Sequence, residues 1–159
     1  MARLRPLRTV QANCRRVLPR LLRRYFRAGR RLADGTSDFK ELHRFRIRTK
    51  RVRYVLELYA EVFPRPLRGA LGEFRRIQSV LGRIQDQTMV IAYFEERLLH
   101  VRTPARQTEY LRVLHRARMR QTAYRLLFFR RWRHLEDRRF HRWLTDGIEL
   151  MTRSSGLAG

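Results

Sequence analysis

The sequence predicts an all-α protein: a four-helix-bundle-like domain of long helices with a short additional C-terminal helix, over about 136–151. Two observations predict this class. Only 8 glycines and 5 prolines occur in 159 residues, and they fall mostly between long stretches of helix-forming residues. Hydrophobic residues make up 43% of the chain, which is enough for a core. The length suits a single domain, which we place at residues 1–153, ahead of a short polar tail over 154–159.

A first helix is predicted over about 8–32, with Pro19 as the point where it would kink, because proline removes a backbone donor. The cluster DGTSD at 34–38 is typical of a turn that ends in a helix N-cap. A second helix then runs to Phe63 and stops at Pro64, because the residue before a proline disfavours the helical conformation.

A third helix is predicted over about 67–100, with Gly82 as the point where it could break. Thr103 and Pro104 suit the N-cap and the first position of a fourth helix, over about 104–133. Proline is favoured there because the donor that it lacks has no partner inside the helix anyway. Four long helices joined by short turns favour a helical bundle.

The charge of the chain is strongly unbalanced. Its 38 lysines and arginines oppose 14 acidic residues, which gives a formal charge of +24 at pH 7. Nearly all of the cations are arginines, and only Lys40 and Lys50 are lysines. The guanidinium group offers a planar fork of donors that matches carboxylate and phosphate oxygens. Such a field attracts nucleic acid, polyphosphate or an anionic membrane surface, but it does not choose among them.

Several classes of protein are disfavoured by what the sequence lacks. The single cysteine, Cys14, cannot form an internal disulfide or a thiolate metal site. The longest apolar run, Met89–Phe94, is far shorter than the roughly 20 residues of a membrane span. The first residues lack the apolar core of a secretory signal. The sequence therefore predicts a cytoplasmic protein with no membrane contact.

Enzymatic activity is not predicted. The histidines, at positions 43, 100, 115, 134 and 141, show no i, i+4 pair, and the sequence has no HExxH motif and no P-loop. Glu95 and Glu96 are adjacent, so they point to different faces of a helix. We therefore predict no catalytic residues, no metal site and no cofactor.

The second helix carries a basic row along one face. His43, Arg46, Lys50, Arg53 and Glu57 follow one another at spacings of three, four, three and four residues, which stacks them on one side of a helix. Four potential cations in one row repel each other unless an anion lies against them. The alternative is a solvated basic face.

Apolar residues of the same helix define two further strips. The predicted core arc lies nearly opposite the basic row and consists of Phe45, Val52, Val55, Leu56, Tyr59 and Phe63, although Arg48 intrudes on it. Ile47, Tyr54 and Leu58 form a second apolar strip beside the row. With apolar residues beside it, the row would line a groove instead of projecting freely into water, which argues against the solvated face.

The third helix offers a matching polar face. Its apolar arc consists of Phe74, Ile77, Val80, Leu81 and Ile84, and its opposite arc of Arg75, Gln78, Ser79, Gly82 and Asp86. A glycine inside a helix costs roughly 1 kcal/mol relative to alanine. Gly82 therefore indicates either a close approach to the backbone or a helix break. Asp86 would accordingly either hold an arginine of the second helix by an ion pair or cap the next helix.

The run LHRFRIRTKRVRYVLELY, Leu42–Tyr59, is similar to the signature of CHAD domains, the conserved histidine α-helical domains. Their motif has the form H-x-x-R-x-x-x-K/R-x-x-R-Y, which is matched here by His43, Arg46, Lys50, Arg53 and Tyr54. A second segment, IQSVLGRIQD at Ile77–Asp86, is similar to the family's L-Q-x-x-L-G-x-x-x-D. Together the two motifs cover about residues 37–100 directly.

The resemblance implies an all-α fold that binds inorganic polyphosphate through a basic groove, and a cytoplasmic place beside polyphosphate granules. By the same match, His43, Arg46, Lys50 and Arg53 would face the phosphates. Further residues that would support the site are Tyr54, Arg75, Gln78 and Asp86, together with Arg112, Arg116 and Arg120. The last three stand at i, i+4 and i+8 on the fourth helix, where a solvated face is the alternative explanation.

One departure from the family concerns length. A usual CHAD chain is about twice as long and contains two similar helical halves, each with its own motif, whereas this sequence carries one motif. It therefore resembles a single-repeat member, in which either one bundle suffices or two copies pair as a homodimer. Two other functions stay open: non-specific binding of nucleic acid, which the charge favours at low salt, and docking on acidic partner proteins.

Overall fold

Four long α-helices account for most of the residues that the computed structural model describes, which are 10–33, 38–58, 65–137 and 146. In chain order they are α1 (Val10–Ala33), α2 (Phe39–Leu58), α3 (Arg65–Leu98) and α4 (Pro104–Glu136). The predicted all-α class with four long helices is confirmed. Except for residues 136, 137 and 146, the predicted fifth helix over about 136–151 lies outside the described residues. The end of the second helix at Phe63 and the tail over 154–159 lie outside them as well.

Helix starts agree with the signals in the sequence. Asp38 caps α2, because its carboxylate accepts a hydrogen bond of 2.7 Å from the backbone N–H of Glu41. At the start of α4, Thr103 has extended backbone angles and Pro104 takes the first helical position, as predicted, although the threonine hydroxyl forms no capping hydrogen bond. The helix there is held instead by the Gln107 N–H, which donates to the Thr103 carbonyl at 3.0 Å.

The predicted break at Gly82 does not occur, and Pro19, where a kink is predicted, does not end its helix. Pro19 lies inside α1 and Gly82 lies inside α3, and both helices continue through these residues. The expected break at Gly82 is wrong because a single helical glycine costs only about 1 kcal/mol, whereas Leu81 and Ile84 beside it are buried in the core. Burial of two such side chains stabilises the helical path by more than the glycine costs.

Consecutive helices pack side by side in antiparallel fashion. Along α2 and α3, His43 contacts Gln85 at one end and Glu57 contacts Arg75 at the other. The long α3 packs against both α2 and α4, and α1 packs against α2 and also touches α4. This order makes α2 and α3 neighbours along most of α2, so that one flank of α2 forms a seam with α3 and the other forms a seam with α1.

An aromatic cluster joins all four helices. Tyr25 of α1 stacks on Phe45 of α2, with ring centroids 4.8 Å apart, and contacts Phe74 of α3 at 5.3 Å. Trp132 of α4 meets Tyr25 at 5.6 Å and Phe45 at 5.5 Å, both edge to face. Phe128 closes the cluster against Phe45. All five rings are almost completely buried, so the cluster fixes how the helices meet.

The buried face of α2 lies closer to the basic row than the sequence predicted. Its buried residues are Leu42, Phe45, Thr49, Val52 and Leu56, while Val55 is only half-buried. The shift arises because Thr49, a polar residue, is fully buried. Its hydroxyl donates to the Phe45 carbonyl at 3.0 Å and bonds with the Tyr25 hydroxyl at 3.3 Å. The basic row therefore lies beside the core face and next to α3, and not on the side of α2 opposite the core.

Substitution of Gly29 by alanine should destabilise the fold. Gly29 is buried in α1, and an added Cβ would overlap the Trp132 ring, which is itself fully buried among aromatic neighbours and cannot give way. Overpacking of this kind costs about 1–3 kcal/mol, more than the roughly 1 kcal/mol gained from helix propensity. Urea unfolding measures the difference. Gly72→Ala is the control, because a Cβ there meets no atom of the described residues within 4 Å. Equal stability of the two variants would contradict the packing.

Stability should fall at alkaline pH because of Tyr25. Its burial raises the pKa of the phenol well above the ordinary value of 10.0, an effect that the hydrogen bond with Thr49 only partly opposes. The unfolded chain releases this proton near pH 10 and the folded chain keeps it. The contribution to stability is therefore complete below about pH 10 and is lost as the pH rises above it.

The expected loss is about 1.4 kcal/mol per pH unit above pH 10. It is measured as the difference in unfolding free energy between the natural chain and Tyr25→Phe across this pH range. The phenylalanine variant has no proton to release at this position, so the two curves should converge as the pH rises. Parallel curves would show that Tyr25 titrates alike in both states.

Candidate functional site

The four predicted phosphate-facing residues lie along the seam between α2 and α3. His43, Arg46, Lys50 and Arg53 occupy one flank of α2 over three turns, or about 15 Å. Arg46 and Arg53 are half-buried, whereas His43 and Lys50 are exposed. The row therefore does not project freely into water. Arg46 and Arg53 lie at the packed edge of α2, and His43 and Lys50 lie on its outer surface.

Gln85 positions the first member of the row. Its side-chain oxygen lies 3.0 Å from Nδ1 of His43, which joins α3 to α2 at this end of the seam. The sequence prediction singled out Gln78 and Asp86 on α3 and missed Gln85. The spacing could have identified it, because Gln78, Gly82 and Gln85 stand at i, i+4 and i+7 and so share one helix face.

Glu57 holds the other end of the row. One of its carboxylate oxygens accepts hydrogen bonds from Arg53 at 2.9 Å and from two nitrogens of Arg75 at 2.9 and 3.2 Å. A single anion thus brings an arginine of α2 and an arginine of α3 together and offsets their repulsion. Arg75, predicted as a supporting residue, therefore lies at the seam, and Glu57 has a role that the sequence did not assign.

Asp86 has neither of its predicted roles. It is exposed on the interior of α3, which is continuous, so it caps no helix. Among the described residues, the ion pairs of the α2–α3 seam go to Glu57 and not to Asp86. The reason is the helical rotation of about 100° per residue, which turns Gln85 toward α2 and carries Asp86 past it.

Three buried polar atoms at the seam have no hydrogen-bond partner within the described part of the chain. They are Nε of Arg46, Nε of Arg53 and Oε1 of Gln78. A buried donor without a partner costs about 1–3 kcal/mol, and more when it belongs to a charged group. Two of the three are guanidinium donors, for which an anionic oxygen is the strongest partner.

Tyr54 supports the outer side of the row. The guanidinium of Arg53 lies 4.5 Å from the centre of its ring, and Nζ of Lys50 lies 5.5 Å from it. These cation–π contacts keep both side chains along the surface of α2. The predicted outer strip is exposed: Ile47 and Tyr54 are each 49% exposed and Leu58 is 65% exposed. The row is thus flanked by α3 on one side and by apolar side chains on the other.

Gly82 leaves space opposite the middle of the row. It lies between the Gln85 contact and the Arg75 contact along α3, and a Cβ added to it would meet no atom within 4 Å. Among the described residues, no close approach requires a glycine there. The α2 side of the seam is therefore cationic. The α3 side, around Gly82, is polar and leaves open space.

The basic row of α4 does not join this seam. Arg112, Arg116 and Arg120 are exposed on a helix that packs against α3 and α1 and lies diagonally across the core from α2. Across the residues that the structure describes, none of the three forms a hydrogen bond or ion pair with α2. The structure places them as a separate exposed surface.

The described ranges show neither a metal-binding nor a membrane-spanning feature. They contain no cluster of three or more histidine, cysteine or acidic side chains that would hold a metal ion. None of the four helices is both long and apolar enough to cross a bilayer. The described histidines 43, 100, 115 and 134 are all exposed.

The fold and the site define an all-α domain with a cationic seam between two of its helices. The family model for the CHAD domain matches residues 2–95, which include α1, α2 and most of α3. The chain therefore belongs to the CHAD family, as the two sequence motifs predicted. Proteins of this family are generally associated with polyphosphate binding, and the domain is a binding domain more than a catalytic one. Neither a curated protein nor a solved structure matches the chain.

Proposed function

We propose that this protein binds inorganic polyphosphate, without chemical conversion, along the seam between α2 and α3. The observation that carries the proposal is the cationic row at that seam, in which two buried guanidinium nitrogens have no hydrogen-bond partner among the described residues. His43, Arg46, Lys50 and Arg53 are the binding residues. Arg75 extends the cationic surface from the facing helix.

A linear phosphate chain suits this geometry. It repeats a negative charge along its length, and the row repeats a cation at each helical turn of about 5.4 Å. The helix fixes the spacing, and Gln85 and Tyr54 hold individual side chains in place. Little side-chain freedom is then lost on binding. The phosphate oxygens accept charge-assisted hydrogen bonds from the guanidinium donors.

Glu57 competes with the ligand. Its carboxylate occupies donors of Arg53 and Arg75 that would otherwise face a phosphate, and it repels the incoming chain. Glu57 thus holds two arginines close together, but it weakens their attraction for an anion.

Replacement of Glu57 by glutamine should therefore strengthen polyphosphate binding. Removal of one nearby negative charge is worth about 1 kcal/mol at a solvated site, or roughly a fivefold gain in affinity. Isothermal titration with inorganic polyphosphate measures this gain. The control is Glu109→Gln, which removes an exposed carboxylate at the start of α4, far from the seam. An equal gain in both variants, or a loss in Glu57→Gln, would contradict the competition.

Removal of two cations from the middle of the row should weaken binding sharply. Arg46→Gln/Lys50→Gln is the most direct variant, because neither residue belongs to the Glu57 bridge. Each charge-assisted hydrogen bond that is lost costs on the order of 1.5–3 kcal/mol, or tenfold or more in affinity. The measurement uses about physiological salt, where attraction beyond roughly 8 Å is screened.

The matched control is Arg102→Gln/Arg106→Gln. It removes the same charge from two exposed positions at the far end of the α3–α4 hairpin. Equal losses in both double variants would mean that the field of the whole molecule drives binding. Duplex DNA in the same assay tests the nucleic-acid alternative. Tighter binding of DNA than of polyphosphate, with equal sensitivity to both variants, would reject the proposed site.

A further inference from the structure

A second cationic groove lies on the opposite flank of α2, between α2 and α1. Four arginines of α1 line one side, namely Arg20, Arg24, Arg27 and Arg31. Three arginines of α2 line the other side, namely Arg44, Arg48 and Arg51. The groove encloses about 760 Å³. None of the residues that bind at the α2–α3 seam lines it, so it is a different site.

Within the described ranges, few acidic side chains face the arginines of this groove. Among the described residues that line it, Glu41 at one end is the only acidic one. Within the described part of the chain, none of the seven forms an ion pair. Seven cations at helical spacing on two facing helices repel each other. An anionic partner that enters the groove removes this repulsion.

The floor of the groove is apolar, in contrast to the polar side of the α2–α3 seam. Val17, Leu21 and Ala28 of α1 contribute to it from one side, and Val52 and Val55 of α2 from the other. Most of these side chains are half-buried, so part of their surface still contacts water. A ligand that covers both the floor and the rims must combine apolar groups with negative charge.

Several polyanions fit this combination poorly. An inorganic phosphate chain has no apolar group and would leave the floor in water. Single-stranded nucleic acid needs exposed aromatic rings for stacking. Tyr25, the one aromatic residue among the described residues of the lining, is only 2% exposed. A flat bilayer surface does not enter a concave groove between two helices.

An α-helix fits in size. From Arg20 to Arg31 the groove runs about 16 Å, the length of about 11 helical residues. An amphipathic helix would lay its apolar stripe on the floor, in the mode by which helices bind hydrophobic grooves. Carboxylates on either side of that stripe would meet the two arginine rims. The i, i+4, i+7 spacing of Arg20, Arg24 and Arg27 matches the spacing of side chains along such a helix.

We propose that the α1–α2 groove binds an acidic amphipathic helix of a partner protein. This inference does not rest on polyphosphate binding, since the two sites use different residues. A protein with both sites would bring an acidic partner to a phosphate polymer.

The probe is a synthetic helical peptide of about 14 residues, with leucines along one face and glutamates on both flanks. A shuffled isomer of the same composition and charge serves as the matched peptide. At about physiological salt we expect the amphipathic peptide to bind the full chain at least tenfold more tightly than its isomer. Fluorescence anisotropy with a labelled peptide measures both affinities.

Variants then locate the site. Arg24→Gln/Arg48→Gln removes one exposed arginine from each rim and should weaken peptide binding tenfold or more. Arg102→Gln/Arg106→Gln removes the same charge elsewhere and should change it less than twofold. Arg46→Gln/Lys50→Gln should also leave peptide binding unchanged, which separates this site from the proposed polyphosphate site. Circular dichroism checks that each variant keeps its helical content.

Three results would overturn the inference. Equal binding of the two peptides would show that the apolar floor takes no part. Equal losses in the groove variant and in the Arg102/Arg106 control would show that only overall charge matters. A tenfold loss of polyphosphate affinity in Arg24→Gln/Arg48→Gln, without loss of peptide affinity, would make the groove a phosphate site.

Discussion

The aromatic cluster around Tyr25 is the contact on which the rest of the structure depends. Its rings come from all four helices, and Tyr25 itself touches Phe45, Phe74 and Trp132. The stacking of Tyr25 on Phe45 and the hydrogen bond between Tyr25 and Thr49 both lie on the buried face of α2, which fixes the rotation of that helix about its own axis. That rotation decides which arginines of α2 lie against α3 and which lie against α1. The chemistry of both flanks of α2 thus follows from a core contact that contains no charge.

A chain with a charge of +24 must place its cations where they do not oppose folding. Several of the described acidic residues form ion pairs with these cations. Glu57 holds two arginines at once, and Glu95 and Glu136 each join two helices through an ion pair. Exposed ion pairs of this kind contribute little individually. Many of the cations that remain line the two flanks of α2, and their mutual repulsion there is a cost that anionic ligands would relieve.

The two flanks of α2 carry similar charge but present different surroundings. Toward α3, the facing helix supplies Gln78, Gly82 and Gln85, which are polar or small. Toward α1, the facing helix supplies Val17, Leu21 and Ala28, which are apolar. A cationic row over a polar side suits a fully hydrated anion such as phosphate, while a cationic rim over an apolar floor suits an anion with a hydrophobic face. The neighbouring helix, more than the arginines themselves, distinguishes the two sites.

The sequence by itself determined the helical class, most helix starts, the apolar residues of α3 and the basic row of α2, because these follow from local spacing and end signals. The family motifs likewise identified the CHAD domain. Only the tertiary structure decided that Thr49 is buried, that Gln85 and Glu57 replace Asp86 as contacts of the row, and that the arginines of α1 face those of α2. These features depend on how each helix is rotated against its neighbours. Side chains from other helices set that rotation, so it cannot be predicted from the spacing of residues within one helix.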